Sequence, residues 1–332
     1  MRPVIAAAVA MALGFAGAAA ATIVWMFALL QGVFVGVGTA ASFGPLIADV
    51  SHWFRKRRGV AVAACACGNY IGGTVWPLSV QWLMDTWDWR TAYVVVAVIV
   101  VVTMVPLAFM LRRPPPKEDP AATAAALAKS GTTGAARRID LSPKMLMILL
   151  SIAGVACCVA MSMPQVHIVA YCGDLGYGAQ RGAEMLSLML GLGVISRLIS
   201  GVIADKIGGI GTLMLGSILQ GLALVFYLPF DGLMPLYIVS GLFGLAQGGI
   251  VPSYALIVRE YFPAREAGAK VSLVLMATVA GMAVGGWMSG EIYDLTGSYK
   301  AAFINGIAFN LLNVSIAFWL VMGRRRMATQ AA

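Results

Sequence analysis

Charge is scarce in this chain. Only 11% of its 332 residues are Asp, Glu, Lys or Arg, while 60% are apolar. A soluble domain of this length would carry about a quarter charged residues, and the mean hydropathy of +0.87 points the same way. Histidine is scarcer still, with His52 and His167 the only two, in different apolar runs. There is no HExxH and no GxSxG string. The chain therefore lacks the clustered acids, histidines or nucleophile that an active site needs, and it reads as something other than an enzyme. Its five cysteines, Cys65, Cys67, Cys157, Cys158 and Cys172, form no CxxC pair. They read as small apolar packing residues, with no metal, cofactor or disulfide expected.

What the chain has in abundance is long apolar runs, from end to end. Runs of 18 or more residues can cross a ~30 Å hydrocarbon core as helices. They do not alternate as barrel strands would. The expectation is an all-α integral membrane protein of about ten transmembrane helices. The spans are placed at 3–21, 23–50, 59–84, 90–111, 144–172, 182–204, 211–229, 234–260, 265–291 and 299–322. Residues 3–50 are too long for one span and must fold back near Ala21-Thr22.

The net charge of +9 reports topology. Nineteen of the 23 cations fall on one side of this arrangement, including Arg55-Lys56-Arg57-Arg58 and Arg324-Arg325-Arg326. Arg90, Arg181 and Lys300 fall on the other, and Arg197 is left inside a helix. The positive-inside rule then puts both termini and the central loop in the cytoplasm, with no nucleic-acid partner implied. The expected location is a cell (inner) membrane. Residues 112–143, with Pro114-Pro115-Pro116 and an Ala-rich run, read as a cytoplasmic linker. It would join an N-terminal half-bundle of four helices, 1–111, to a C-terminal six-helix bundle, 144–332.

The two halves share an internal repeat at an offset of about 208–210. Gly32-Val33-Phe34 matches Gly241-Leu242-Phe243, and Trp53-Phe54 matches Tyr261-Phe262. Trp89-Arg90-Thr91-Ala92-Tyr93 matches Tyr299-Lys300-Ala301-Ala302-Phe303. The common order of these matches indicates a duplication, frequent among transporters. On this mapping the helices at 144–172 and 182–204 have partners before residue 1, so the first half is expected to be short of two helices. A natural ten-helix protein, or a signal peptide over residues 2–21, are the alternatives.

These features resemble the major facilitator superfamily, over essentially the whole chain, as that family's helices 3 to 12. Gly201-Val202-Ile203-Ala204-Asp205-Lys206-Ile207-Gly208 matches the family's cytoplasmic signature G-x-x-x-D-[RK]-x-G. Shorter strings resemble the monocarboxylate transporters and the oxalate:formate antiporter group: Trp53-Phe54-Arg55-Lys56-Arg57-Arg58-Gly59, Pro164-Gln165-Val166-His167, Asp174-Leu175-Gly176 and Ser196-Arg197-Leu198-Ile199-Ser200-Gly201.

Arg197 is the leading site candidate. A cation at helix centre costs about 2.5–3.5 kcal/mol on insertion scales, and a guanidinium fork matches a carboxylate. The resemblance implies that this arginine, four residues before Gly201, binds a substrate carboxylate. The alternative is a structural arginine capping carbonyls. The acid that some relatives carry four residues earlier is Gly193 here, and the lysine that the oxalate group carries in helix 11 is absent, with Thr278 in that region. One buried cation suits a monocarboxylate. His167 and Tyr171 form a second candidate pair one turn apart, and Tyr254, Gln247 and Asn69 are polar groups at membrane depth that could line a cavity or bond across helices. Gly201, Asp205, Lys206 and Gly208 are expected to gate, with Asp205 near a helix N-terminus. The glycines at 68, 72, 73, 281, 285 and 286 form GxxxG-like faces for close helix approach.

The functional expectation is a secondary transporter of a small organic anion, a monocarboxylate by preference, working by alternating access with proton coupling as the default. The competing readings are an exporter of drug-like or neutral compounds and a non-transporting membrane protein.

Overall fold

In hydrocarbon every backbone N–H and C=O must find its partner inside the protein, which favours helices throughout. The computed structural model describes residues 2–39, 46, 53, 58–111, 141–262 and 264–330, and among them there is no strand. Each of the ten expected spans has its helix. In chain order these are α1 Arg2–Ala19, α2 Val24–Thr39, α3 Arg58–Thr86, α4 Trp89–Met110 and α5 Pro143–Asp174. Next comes the helical run Ala179–Phe226, which Gly208 divides into α6 (179–207) and α7 (209–226). Then follow α8 Leu233–Tyr261, α9 Ala264–Thr296 and α10 Tyr299–Gln330. The 112–143 linker lies almost wholly outside the described residues, as do His52 and Arg55-Lys56-Arg57.

Local chemistry sets several of the boundaries. Asp88 caps α4 by accepting the Thr91 N–H at 3.2 Å, and Ser142 caps α5 by accepting the Met145 N–H at 3.2 Å, with Pro143 in the first turn. Gly208 has φ 80°, a left-handed conformation that glycine adopts without strain, so α6 turns into α7 through one residue. The sequence pattern suggested a loop of several residues there. Within α2, Leu30–Val35 is wound as a π-helix, which the apolar pattern did not signal.

Among the described residues, six stretches are long and apolar enough to span a membrane: Trp89–Met110, Pro143–Asp174, Ala179–Phe226, Leu233–Tyr261, Gly268–Thr296 and Tyr299–Gly323. Val4–Ala19 and Val24–Thr39 are apolar but shorter. α3 has 29 residues, but Asn69, Gly72, Gly73 and Trp76 dilute its middle and keep it out of that set.

The chain divides into two compact units. The first comprises Met1–Gly68 and Leu78–Thr123. In it α1 packs against α2 and α4, and Phe15, Phe27, Trp89 and Tyr93 form an aromatic cluster with centroids 5.6–6.2 Å apart. Arg90 stacks on Trp89 and donates to the Ala21 carbonyl at 3.3 Å.

The second unit comprises Asn69–Pro77 and Ala124–Ala332. Its centre is α5 and α8. The most apolar window of α5 is 72% buried and that of α8 61%, against 22% for α9. Apolarity does not follow burial here, since the window of α9 has a mean hydropathy of 1.8 against 1.5 for α8; burial, and not hydropathy, separates the protein-facing helices from the outward-facing ones. α5 packs most extensively on α9, and the α6–α7 run on α8. Small residues make the first of these contacts possible. A Cβ on Gly281 would lie 2.7 Å from the Val155 Cα, and one on Gly285 would lie 2.6 Å from the Val159 Cα. Gly286, on the neighbouring face, would meet only Val166 side-chain atoms, at 3.6 Å.

This contrast is testable. Gly285→Leu must push against backbone, so it is expected to cost about 1–3 kcal/mol and lower the thermal midpoint in detergent by about 2–10 °C. Gly286→Leu should leave the midpoint within a degree or two of wild type. Equal midpoints for the two variants would show that the α5–α9 seam does not depend on Gly285.

Candidate functional site

Proline has no N–H, so the carbonyl four residues before it loses its helical donor. Pro252 does this to Gly248 in the middle of α8. The helix is interrupted there: one piece ends at Gln247, the next begins at Ile250, and Gly248 and Gly249 form a turn between them. The Gly248 carbonyl is answered from α6, where Arg197 donates its Nε–H at 3.3 Å. The structural alternative for this arginine, capping a carbonyl, is thus realised by its Nε–H.

Two other contacts surround this point. The guanidinium carbon of Arg197 lies 4.1 Å from the centroid of the Tyr70 ring, inside cation–π range. Gln165 of α5 donates through Nε2 to Oε1 of Gln247, whose own Nε2 is buried without a hydrogen-bond partner among the described residues. α6 and α8 are in tight register here. A Cβ on Gly248 would sit 2.5 Å from the Gly193 carbonyl and 2.7 Å from the Arg197 nitrogen.

The structure thus places the sequence-predicted residues in separate groups. Arg197 and Gln247 meet at the α8 break. Tyr254 is fully buried and donates to Asn313 Oδ1 at 2.9 Å; Asn313 in turn donates to Ser217 Oγ at 2.7 Å. This ties α7, α8 and α10 together as a polar packing layer. Asn69 is exposed, beside Tyr70 in the chain. The two positions at which relatives are expected to carry extra charge are closed. A Cβ at Gly193 would lie 2.5 Å from Tyr70 Cδ1, so an acid cannot be seated there without moving the ring. Thr278 is 4% exposed, and its methyl faces Gly154 of α5 at backbone range.

His167 and Tyr171 lie in a second cluster where α5, α9, α10 and the α7–α8 connection meet. His167 Nε2 is 2.8 Å from the Gly286 carbonyl, and its ring lies 5.7 Å from that of Tyr299. Tyr171 donates to Asp231 Oδ1 at 2.9 Å. Lys300 bonds the other carboxylate oxygen at 2.8 Å, and the Tyr177 hydroxyl donates to the Asp231 carbonyl. The Lys300 ammonium holds the Asp231 carboxyl below the usual carboxylate range; the Tyr171 hydroxyl adds to this, and partial burial opposes it. None of Asp231, Lys300 or Tyr177 stood out in the sequence as a site residue.

Of the expected gating residues, Gly201, Asp205 and Lys206 are exposed near the end of α6, and Gly208 makes the turn. The carboxylate at the N-terminus of α7 belongs to Glu260, which accepts the Gly209 N–H at 2.9 Å. It is a favourable place for negative charge. Glu260 carried no motif signal, because it reaches α7 from the far end of α8.

The profile of the Major Facilitator Superfamily matches residues 2–239. Monocarboxylate transporter 13 of Rattus norvegicus is 26% identical over 313 residues, covering 93% of this chain and 70% of that protein. The MFS-type transporter opdF of Penicillium oxalicum is 23% identical over 312 residues, covering 92% and 70%. Among solved structures, the E. coli fucose:proton symporter FucP superposes with a TM-score of 0.61 at 15% identity, covering 96% of this chain and 83% of that one. That likeness is one of fold.

Two measurements bear on this geometry. Pro252→Ala returns a donor to the Gly248 carbonyl. Arg197→Met is therefore expected to cost less stability in that background than in wild type, with a coupling of about 1–2 kcal/mol. An equal cost in both backgrounds would show that the bond contributes nothing. At the second cluster, a depressed carboxyl adds stability that is present above the ordinary carboxylate pKa of about 4 and is lost as pH falls below it. Both partners are about half exposed, so the effect is small, about 0.2–1 kcal/mol. Thermal midpoints measured from pH 6 downward should fall less steeply for Asp231→Asn than for wild type.

Proposed function

This chain belongs to the Major Facilitator Superfamily, and on that premise we propose that it is a secondary transporter of a small organic anion, a monocarboxylate by preference. It is a multi-pass membrane transporter rather than an enzyme. The observation that carries the anion reading is Arg197: a guanidinium held in the middle of a helical bundle, at a break in α8. Interrupted helices at membrane depth mark substrate sites in transporters, because irregular backbone is tolerated there only where it is buried in protein or lines a cavity. Arg197 donates its Nε–H to Gly248, and a planar guanidinium is the side chain whose geometry matches a carboxylate. Gln247, with its buried Nε2, stands next to it as a neutral donor.

A monocarboxylate is favoured because the positions for further charge, 193 and 278, are taken by small residues packed against neighbours. The name of the rat relative agrees with this choice. On the same reading His167, Tyr171, Tyr254 and Asn69, which lie in other groups, do not hold the carboxylate. Substrate would be exchanged by alternating access between the halves 1–111 and 144–332, joined by the 112–143 linker. Both termini would face the cytoplasm of a cell membrane, as the cation asymmetry implies. Asp205, Lys206, Gly201 and Gly208 would gate at the cytoplasmic end. Proton coupling remains the default mode, supplied by a group other than residue 193.

The test is counterflow in proteoliposomes containing the full chain, with radiolabelled lactate and pyruvate, oxalate as the dianion, and a neutral sugar as control. Wild type should exchange the monocarboxylates in preference to oxalate. Arg197→Gln should reduce exchange about 100-fold, the equivalent of roughly 2.7 kcal/mol, while still eluting as a monodisperse species. Unchanged exchange in Arg197→Gln would sink the carboxylate role. An imposed pH gradient that fails to drive net uptake would remove proton coupling and leave the anion reading intact.

A further inference from the structure

His167 is half-buried on α5, and its one hydrogen bond fixes which nitrogen carries the proton. Nε2 lies 2.8 Å from the Gly286 carbonyl. A carbonyl oxygen only accepts, so Nε2 holds the hydrogen and donates it. In the neutral ring Nδ1 is then the bare nitrogen, and nothing among the described residues hydrogen-bonds to it. Glycine makes the room: a Cβ on Gly290, one turn beyond Gly286 on α9, would come 3.6 Å from His167 Cε1. Tyr299 of α10 flanks the ring at 5.7 Å between centroids. The acids of this cluster already have donors. Tyr171, one turn along α5, is bonded to Asp231, which also holds Lys300. Tyr293 of α9 donates to Asp174 at the end of α5. Glu291 and Asp294 of α9 are exposed.

The depth of the ring matters as much. Gln165 and His167 stand two residues apart on one helix, about 3 Å along its axis and about 200° around it. Gln165 reaches Gln247 at the break in α8, and His167 reaches α9 from the other face. His167 therefore lies at the depth of the break, with α5 between them. We propose that His167 is the proton-binding group of this transporter, its Nδ1 taking one proton from water as the anion binds and returning it to water on the opposite side as the anion leaves. This rests on the reading of the chain as a proton-coupled anion transporter. Imidazole changes charge near neutral pH. The Nε2–H stays on Gly286 in both states and becomes a charge-assisted bond when the ring is cationic. A bound carboxylate and an imidazolium attract each other through an interior that screens them weakly. Each then raises the affinity for the other by the same factor. Because the ring is on the far face of α5, the carboxylate site gains no second cation, and the preference for a monoanion stands.

The test is radiolabelled pyruvate in proteoliposomes of the full chain, measured as uptake driven by a pH gradient and as counterflow at equal pH on both sides. In wild type the counterflow KM should fall about 5- to 100-fold as pH is lowered from about 8 to about 5.5. His167→Gln keeps an N–H for Gly286 but cannot take a proton. At alkaline pH it should exchange pyruvate about as fast as wild type, with a KM that no longer depends on pH and no accumulation driven by a pH gradient. Asp231→Asn should keep both pH effects; losing them there while His167→Gln retains them would assign the proton to the carboxylate and overturn the proposal. Accumulation in His167→Gln equal to wild type would also overturn it, and leave proton coupling standing. Counterflow without any pH-driven accumulation in wild type would remove proton coupling itself, and the role of His167 with it. If His167→Gln fails to fold, the His52→Gln protein has His167 as its one histidine. In that protein labelled with 15N-histidine, Nε2 should stay protonated while Nδ1 titrates, and saturating pyruvate should move the midpoint up by about one pH unit or more. A midpoint indifferent to pyruvate would overturn the proposal.

Discussion

A single missing hydrogen atom organises the centre of the second unit. Pro252 cannot donate to the Gly248 carbonyl, and in a membrane an orphaned carbonyl has no water to turn to. The donor comes from Arg197 on the adjacent helix. Such a bond needs close backbone approach, and the α6–α8 seam supplies it with glycine: Gly248 against the Gly193 carbonyl and Gly244 against the Met189 backbone. Gly244-x-x-x-Gly248 is itself a small-residue face of the type that lets membrane helices touch. The half-buried cation, the helix break and the glycine stripe are thus one arrangement. Removing the proline, the arginine or the glycines leaves the other two without their reason.

The duplication inferred from weak sequence matches has a physical counterpart at the helix connections. Arg90 is the second residue of α4 and donates to the carbonyl of Ala21, in the α1–α2 connection. Lys300 is the second residue of α10 and bonds the side chain of Asp231, in the α7–α8 connection. Lys300 and Asp231 each stand 210 positions after Arg90 and Ala21. The same device therefore appears within each unit: a cation at the start of one helix ties down the connection between two others. In the first unit the partner is backbone, in the second a carboxylate. The first version is indifferent to acid; the second responds to it.

How much of this was legible in the sequence depends on range. Helix existence was legible, because it follows from apolar runs and local breakers. Arg197 was legible, because a lone cation in an apolar helix is a local anomaly. The break in α8 could have been read from Gly248-Gly249 followed by Pro252, but a strongly apolar window hides it. Tyr70, Gln165 and Glu260 were not singled out, since each acts through a contact across about 50 to 130 positions that no short string records. Tyr254 shows the converse. Its hydroxyl at membrane depth suggested a cavity, yet it closes a hydrogen-bonded chain with Asn313 and Ser217 inside the bundle. Polarity in a span marks a partner, and only the packing tells whether that partner is protein or ligand.

The charge count of the second unit then bears on what the proposed site could carry. A charged group at membrane depth is costly unless its field is answered, so the number of cations a bundle commits to its centre limits the charge of the ligand it can hold. Here the bundle commits Arg197. Thr278 is packed against α5, and Gly193 lies beneath the Tyr70 ring, so neither position can take a longer charged side chain without moving a neighbour. A monoanion bound at Arg197 would bring the pair to neutrality, whereas a dianion would bring an excess negative charge into a low-dielectric interior. The small residues at 193 and 278 are in this view as much a part of selectivity as the arginine, because they fix how much charge the site has to offer.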